Sequence, residues 1–126
     1  LAQMCHVMVL ASGPHRILFG GGVIKGQPHL LSRTEAMLRE HRPKLFFINS
    51  VLHNPTGSVL SPPVAFRLLE LARRHGFLFV EDDIFADIQG DPTARLATLD
   101  QLEHVIYVGG FSKTVSASLP VGYLIA

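Results

Sequence analysis

Short runs of branched and aromatic side chains alternate along this chain with longer segments whose apolar positions recur every three or four residues. The runs Lys44 to Asn49 (KLFFIN), Phe77 to Val80 (FLFV) and His104 to Val108 (HVIYV) predict buried strands. Val7 to Ala11 and Ile17 to Phe19 are two further strand candidates, and Gly20-Gly21-Gly22 reads as a turn or a flexible break. Ser32-Arg33-Thr34-Glu35 has capping-box spacing, which predicts a helix from there to about His41, ahead of Pro43. Ser61-Pro62 predicts a second helix start, a cap followed by proline at the first helical position. Leu68, Leu69, Leu71 and Ala72 give that helix an apolar stripe. Arg73-Arg74-His75 suit its C-terminal dipole, and Gly76 stops it.

A strand, a helix and a strand with so long a crossover imply parallel neighbours. The predicted class is therefore α/β with a mainly parallel sheet. In open parallel sheets ligands bind beyond the carboxyl ends of the strands. Three polar clusters fall there: His53-Asn54-Pro55-Thr56-Gly57, Glu81-Asp82-Asp83-Ile84-Phe85, and Gly109-Gly110-Phe111-Ser112-Lys113-Thr114.

Each cluster has its own chemistry. A lysine such as Lys113 forms a Schiff base with an aldehyde once desolvation or a nearby cation frees its amine of a proton. A phosphate-binding NTPase loop is excluded, because it requires glycine immediately before the lysine and another about five residues earlier. Those positions hold Ser112 and Tyr107. Asp82 follows a buried run, where a carboxylate needs a cationic partner, and a protonated pyridine nitrogen is one. Asp82, Asp83 and Asp87 could instead gather around Mg²⁺. That grouping resembles the aspartate-rich motif of prenyl-chain synthases, which are all-helical, whereas here a strand comes first. Asn54, held before Pro55, offers an amide donor to a phenolate oxygen. An ordinary turn, a solvated acidic loop and a surface lysine are the plain readings of the three taken singly.

Composition narrows the rest. The chain has 126 residues, 48% of them hydrophobic, enough for a real core. A net charge of +1 leaves no electrostatic footprint for nucleic acid or an anionic membrane. The lone Cys5 excludes an internal disulfide and fits a reducing compartment, so a cytoplasmic location is expected. No apolar run approaches the roughly 18 residues of a membrane span. The seven histidines have no zinc-type spacing, and no metal is expected. The chain opens on Leu1 and closes on the uncovered apolar run Val121 to Ala126, which reads as a piece of a larger protein.

With these residues in hand, the chain resembles the large domain of fold-type I, pyridoxal-phosphate-dependent aminotransferases of class I and II. Asn54 in HNPTG looks like the asparagine that bonds the ring hydroxyl. Asp82, three residues before Phe85, looks like the aspartate that pairs with the pyridine nitrogen, and Lys113 like the lysine that forms the aldimine. The wording SVLHNPTG, VEDDIFAD and YVGGFSKTVSASL is most similar to the MocR branch, in which such a domain is fused to a GntR-type winged helix. The resemblance covers residues 43–126 well and 1–42 only loosely.

It implies a single partial domain over residues 1–126, with the three-layer α/β/α architecture of that family, incomplete here. It implies pyridoxal 5′-phosphate as cofactor, with Lys113 catalytic and Asn54, Asp82, Phe85, Ser112 and Lys113 in contact with the cofactor. It also implies an amino acid or 2-oxo acid as substrate or effector, a homodimer for the parent, and DNA only through a domain outside this chain. A free-standing aminotransferase and a homologue that has lost the cofactor are the alternatives.

Three positions depart from the family pattern. Phe85 stands in place of a tyrosine, Gly110 in place of a serine or threonine at the phosphate, and Pro120 in place of an arginine that grips the phosphate. The lost charge-assisted bond is worth roughly 1.5–3 kcal/mol. Within these 126 residues the resemblance finds no match to the family's glycine-rich phosphate loop and none to its small domain.

Overall fold

A computed structural model describes residues 7–8, 16–19, 28–88, 90 and 93–126. Six strands form one sheet in sequential order: β1 (Val7–Met8), β2 (Arg16–Phe19), β3 (Leu45–Ile48), β4 (Leu78–Asp82), β5 (Val105–Gly110) and β6 (Gly122–Ile125). Strands β2 to β5 run parallel, and β1 and β6 close the two edges antiparallel. The expected α/β class with a mainly parallel sheet is thus observed. The Gly20-Gly21-Gly22 turn lies outside the described residues.

The helices are α1 (Pro28–His41), α2 (Pro62–His75) and α3 (Leu96–Asp100). Helix α1 begins four residues before the expected serine cap, so Ser32 lies inside the helix rather than at its end. Helix α2 starts and stops where the sequence predicts, but Ser61 makes no side-chain cap bond. Pro63 at the second helical position has no amide for a cap to serve, and the next, Val64 N–H, bonds the Ser61 carbonyl instead (3.0 Å). Gly76 adopts the left-handed conformation (φ 68°) that its lack of Cβ permits, and its N–H bonds the Ala72 carbonyl.

Register explains the core. Phe46 and Ile48 on β3 share a face with Phe79 and Glu81 on β4 and with Val105 and Tyr107 on β5. Leu38 of α1, Leu69 and Ala72 of α2, and Leu96 of α3 pack onto that same face. At its centre the rings of Phe46, Phe77 and Phe79 meet at centroid distances of 5.0–5.7 Å. The opposite face carries Leu45, Phe47, Leu78, Ile106, Val108 and Leu124 and is only partly covered, with Leu78 37% and Leu124 64% exposed. Among the described residues the architecture therefore has two layers, helices on one side of the sheet, and the third layer of the family plan is the incomplete part.

Candidate functional site

Parallel strands with matched register deliver their carboxyl ends in step. Ile48 pairs with Glu81, Glu81 with Tyr107, and Asp82 with Val108. The loops after β3, β4 and β5 therefore leave the same edge of the sheet, carrying Asn54, Asp82 to Phe85, and Ser112-Lys113 respectively. The side chain of Asn49 ties two of these ends together by donating to the Asp82 carbonyl (2.9 Å).

The loop after β3 is closed at its base, where the Leu60 N–H bonds the Ser50 carbonyl (2.8 Å). Its tip is closed by bonds from Gly57 N–H to the His53 carbonyl (2.7 Å) and from His53 N–H to the Ser58 carbonyl (3.0 Å). Asn54 is exposed at that tip, joined to Pro55 by a cis peptide bond. The carboxylate oxygen Oδ1 of Asp82 accepts the Ile84 N–H (3.3 Å), and Oδ2 has no partner among the described residues. Phe85 sits in the half-buried turn that follows. Beyond β5 a tight turn, in which the Phe111 carbonyl accepts from Val115 N–H (2.9 Å), holds Ser112 half-buried and Lys113 exposed. Lys113 has no ion pair among the described residues, and no hydrogen bond joins Asn54, Asp82 and Lys113 to one another. The buried setting expected for Asp82 is half-realised, because its side chain points to the sheet face that the helices leave open.

The neighbours of Asp82 in sequence point the other way. Glu81 is 0% exposed, and its carboxylate accepts from Leu96 N–H (2.8 Å), Ala97 N–H (2.9 Å) and the Ser50 hydroxyl. Those amides open α3, whose N-cap residue Arg95 has no capping side chain. Glu81 thus satisfies donors that would otherwise be orphaned. Asp83 is 4% exposed and receives Arg95 Nε (2.7 Å) and the Tyr107 hydroxyl (2.8 Å) on its Oδ2. Burial, then the Asp83 carboxylate beside it, push the Tyr107 phenol well above its ordinary value. Alternate acids on β4 are therefore anchored into the helix layer, and the one between them is left to face outward. Extending the FLFV run by one residue would have shown Glu81 in line with Phe79. The partners of Glu81 and Asp83 are far off in sequence and left no such signal.

A cleft of about 500 Å³ lies on the helix-covered face, lined by Asp83, Arg95, Thr98, Tyr107 and Ile125 among others. None of the five sequence-predicted site residues lines it. Asp100, Glu103 and His104 bring possible ligand atoms within 4.8 Å of one another. The Asp100 oxygens are already taken by Arg73 (3.4 Å) and the His104 N–H, which accounts for that cluster without a metal.

A model of the aminotransferase class I and II family matches residues 28–126. The chain belongs to that family. The match begins fifteen residues earlier than the segment whose wording resembles it, so α1 is part of the family domain as well. Among curated relatives, the chain is 36% identical over 84 residues to the HTH-type transcriptional regulator NorG of Staphylococcus aureus, covering 66% of this chain and 19% of NorG. It is 33% identical over 102 residues to the 2-aminoadipate transaminase of Thermus thermophilus, covering 76% of this chain and 25% of that enzyme. Among solved structures, the α-aminoadipate aminotransferase LysN of Thermus thermophilus, complexed with N-(5′-phosphopyridoxyl)-L-leucine, superposes with a TM-score of 0.68 at 31% identity over 76% of this chain and 26% of LysN. The multiple substrate aminotransferase of Thermococcus profundus gives 0.66 at 33% identity over 76% of this chain and 25% of its own. The chain thus spans about a quarter or less of the relatives it matches. It is an aminotransferase-like fragment of fold type I, similar both to a regulator and to transaminases. No helix among the described residues is long and apolar enough to cross a membrane.

Proposed function

We propose that the protein carrying this chain binds pyridoxal 5′-phosphate at the carboxyl edge of β3 to β5, and that it is a MocR-type regulator responding to an amino acid. The observation that carries the reading is the delivery to one edge, by three adjacent parallel strands, of an amine and a carboxylate oxygen that have no partner among the described residues and of an exposed amide. Lys113 holds the cofactor through its aldehyde carbon. Asp82 pairs with the protonated ring nitrogen through Oδ2, Asn54 donates to the ring oxygen, and Phe85 packs beside the ring. The Ser112 hydroxyl and the N–H groups of Ser112 and Lys113 would serve the phosphate, since the amides of Phe111, Thr114, Val115 and Ser116 already bond carbonyls. When bound, the cofactor supplies an electron sink at the α-carbon of an amino acid.

These residues fit the ring better than the phosphate. Gly110 has no hydroxyl, and exposed Pro120 has neither an N–H nor a charge to offer. An amino acid that displaces Lys113 loosens its turn, and that local change is the signal a regulator passes on. The protein acts as a homodimer in the cytoplasm, and any DNA contact belongs to a segment outside this chain. Similarity to NorG supports the regulator. The 33% identity to 2-aminoadipate transaminase supports a second reading, in which Lys113 moves the α-proton and the protein turns an amino acid into a 2-oxo acid.

Titrating the purified protein with pyridoxal phosphate tests the shared core of both readings. A visible absorption band is expected, lost in Lys113→Ala and reached only at higher cofactor concentration in Asp82→Ala. Absence of a band at saturating cofactor overturns both and leaves the homologue without cofactor. Catalytic formation of a 2-oxo acid then separates the enzyme from the regulator.

A further inference from the structure

We infer that Ser50 and Glu81 form a positioning pair that sets the amide of Asn54 against the carboxylate of Asp82. The inference rests on the cofactor reading above and names residues that the reading does not use. Ser50 is 3% exposed and follows Asn49 at the start of the loop that carries Asn54. Its hydroxyl donates to Glu81, and its carbonyl receives Leu60 N–H, so one residue anchors both ends of that loop. Glu81 precedes Asp82 directly and is itself held by two backbone amides of α3. Two side-chain bonds therefore tie this connection to β4 among the described residues: Asn49 to the Asp82 carbonyl (2.9 Å) and, within the 50–60 loop, Ser50 to Glu81, buried at both ends.

Bonding geometry makes this consequential. Asn54 and Asp82 must reach two fixed positions of one rigid ring, and a misplacement of an ångström in such a pair is costly. Ser50 touches neither the ring nor the reacting atoms and acts through the loop alone. A donor from Asn54 stabilises the ionised form of the ring oxygen. Loosening the loop withdraws that donor, so the protonated form of the bound cofactor persists to higher pH.

The test compares Ser50→Ala, Ser50→Thr and Asn54→Ala in the full protein by two readouts. The first is the pH midpoint at which the visible band of bound cofactor gives way to its alkaline form. It is expected to rise by about one unit in Ser50→Ala, the size of shift one hydrogen bond to an ionised oxygen carries. It should rise similarly in Asn54→Ala and return to the wild-type value in Ser50→Thr, which keeps the hydroxyl. The second is amide hydrogen exchange without cofactor. Gly57 and Leu60 are expected to exchange roughly tenfold faster in Ser50→Ala, as an opening made easier by one bond requires, while Phe79 in β4 is unchanged.

A wild-type midpoint in Ser50→Ala alongside a shifted one in Asn54→Ala overturns the inference. So does unchanged exchange at Gly57 and Leu60. If the wild-type protein shows no visible band, the cofactor reading fails by itself, and exchange alone decides whether Ser50 holds the loop. If Ser50→Ala exchanges everywhere, Phe79 included, the nearly isosteric Ser50→Cys carries the comparison with the same opposed outcomes.

Discussion

Replacing Glu81 by leucine removes the acceptor for three donors at once: the Ser50 hydroxyl and the Leu96 and Ala97 amides. Each buried donor left unsatisfied costs about 1–3 kcal/mol. A leucine in the same space returns about 1.5–3 kcal/mol through its own burial. The net loss is about 1.5–6 kcal/mol, a large share of the roughly 5–15 kcal/mol that holds a domain folded. Glutamine keeps one acceptor oxygen but turns an amide NH₂ toward a backbone N–H, so Glu81→Gln is expected to lose about 1.5–3 kcal/mol. Urea unfolding should place the midpoints in the order wild type, glutamine, leucine, with unchanged slopes. A leucine variant as stable as the wild type would mean that desolvating the carboxylate cancels its three bonds, as happens when some buried ionic groups are replaced by well-packed apolar ones. The reasoning about this anchor would then be refuted.

The raised phenol of Tyr107 gives a pH dependence with a definite sign. Its contribution to stability is complete below the unfolded value of about 10 and is lost as pH rises from there toward the folded value. Urea midpoints should therefore fall above pH ~10 in the wild type and fall less steeply in Tyr107→Phe; equal slopes would remove Tyr107 as the cause. At the phosphate side, a Cβ on Gly110 would meet the Val121 carbonyl at 3.6 Å, Gly122 Cα at 3.8 Å and Ile84 Cγ2 at 4.0 Å, all ordinary contacts. Gly110→Ser should therefore fold normally and tighten cofactor binding about fivefold by adding one hydroxyl donor, measured by absorbance titration. Pro120→Arg should tighten it about ten- to a hundredfold if a charge-assisted bond to phosphate is restored; unchanged affinity in both variants would mean the phosphate lies elsewhere. The opposite holds one residue earlier, where a Cβ on Gly109 would overlap the Tyr123 ring. Gly109→Ala should displace that ring from Tyr107 and Phe111, centroids 6.2 and 5.6 Å away, and cost about 1–2 kcal/mol. A thermal midpoint equal to wild type would show that those ring contacts contribute nothing.

Much of the scaffold could be read from local pattern because its determinants are local. FFI on β3, FLFV on β4 and VIYV on β5 are continuous apolar runs, as strands of a parallel sheet should be. The stop of α2 is written in Gly76 and the basic residues before it. Two elements were misread or missed for opposite reasons. The start of α1 was set by Ser32 because its spacing to Glu35 imitates a cap, although the helix already runs from Pro28. Helix α3 has no cap of its own and was not seen at all. Its first amides are satisfied by Glu81, fifteen residues earlier, and only tertiary structure brings that carboxylate to it.

The candidate site divides in the same way. Asn54, Asp82 and Lys113 could be singled out because each follows a recognisable apolar run and carries reactive or hydrogen-bonding chemistry. The family match supports the domain that contains them. Ser50 and the Asp83–Arg95–Tyr107 cluster were not visible, because a serine after a strand and an arginine in a loop are unremarkable until packing gives them partners. The open sheet face was equally hidden, since Leu45, Phe47 and Val108 read as core whether or not anything covers them.

The sequence contains three lysines, Lys25, Lys44 and Lys113, which makes one chemical experiment decisive for the central claim. The protein is loaded with pyridoxal phosphate and reduced with borohydride, and its peptides are mapped by mass. A pyridoxyl adduct confined to Lys113, and absent from Lys113→Ala, is the result this account predicts. An adduct on Lys25 or Lys44 with Lys113 unmodified, or none at saturating cofactor, would contradict it.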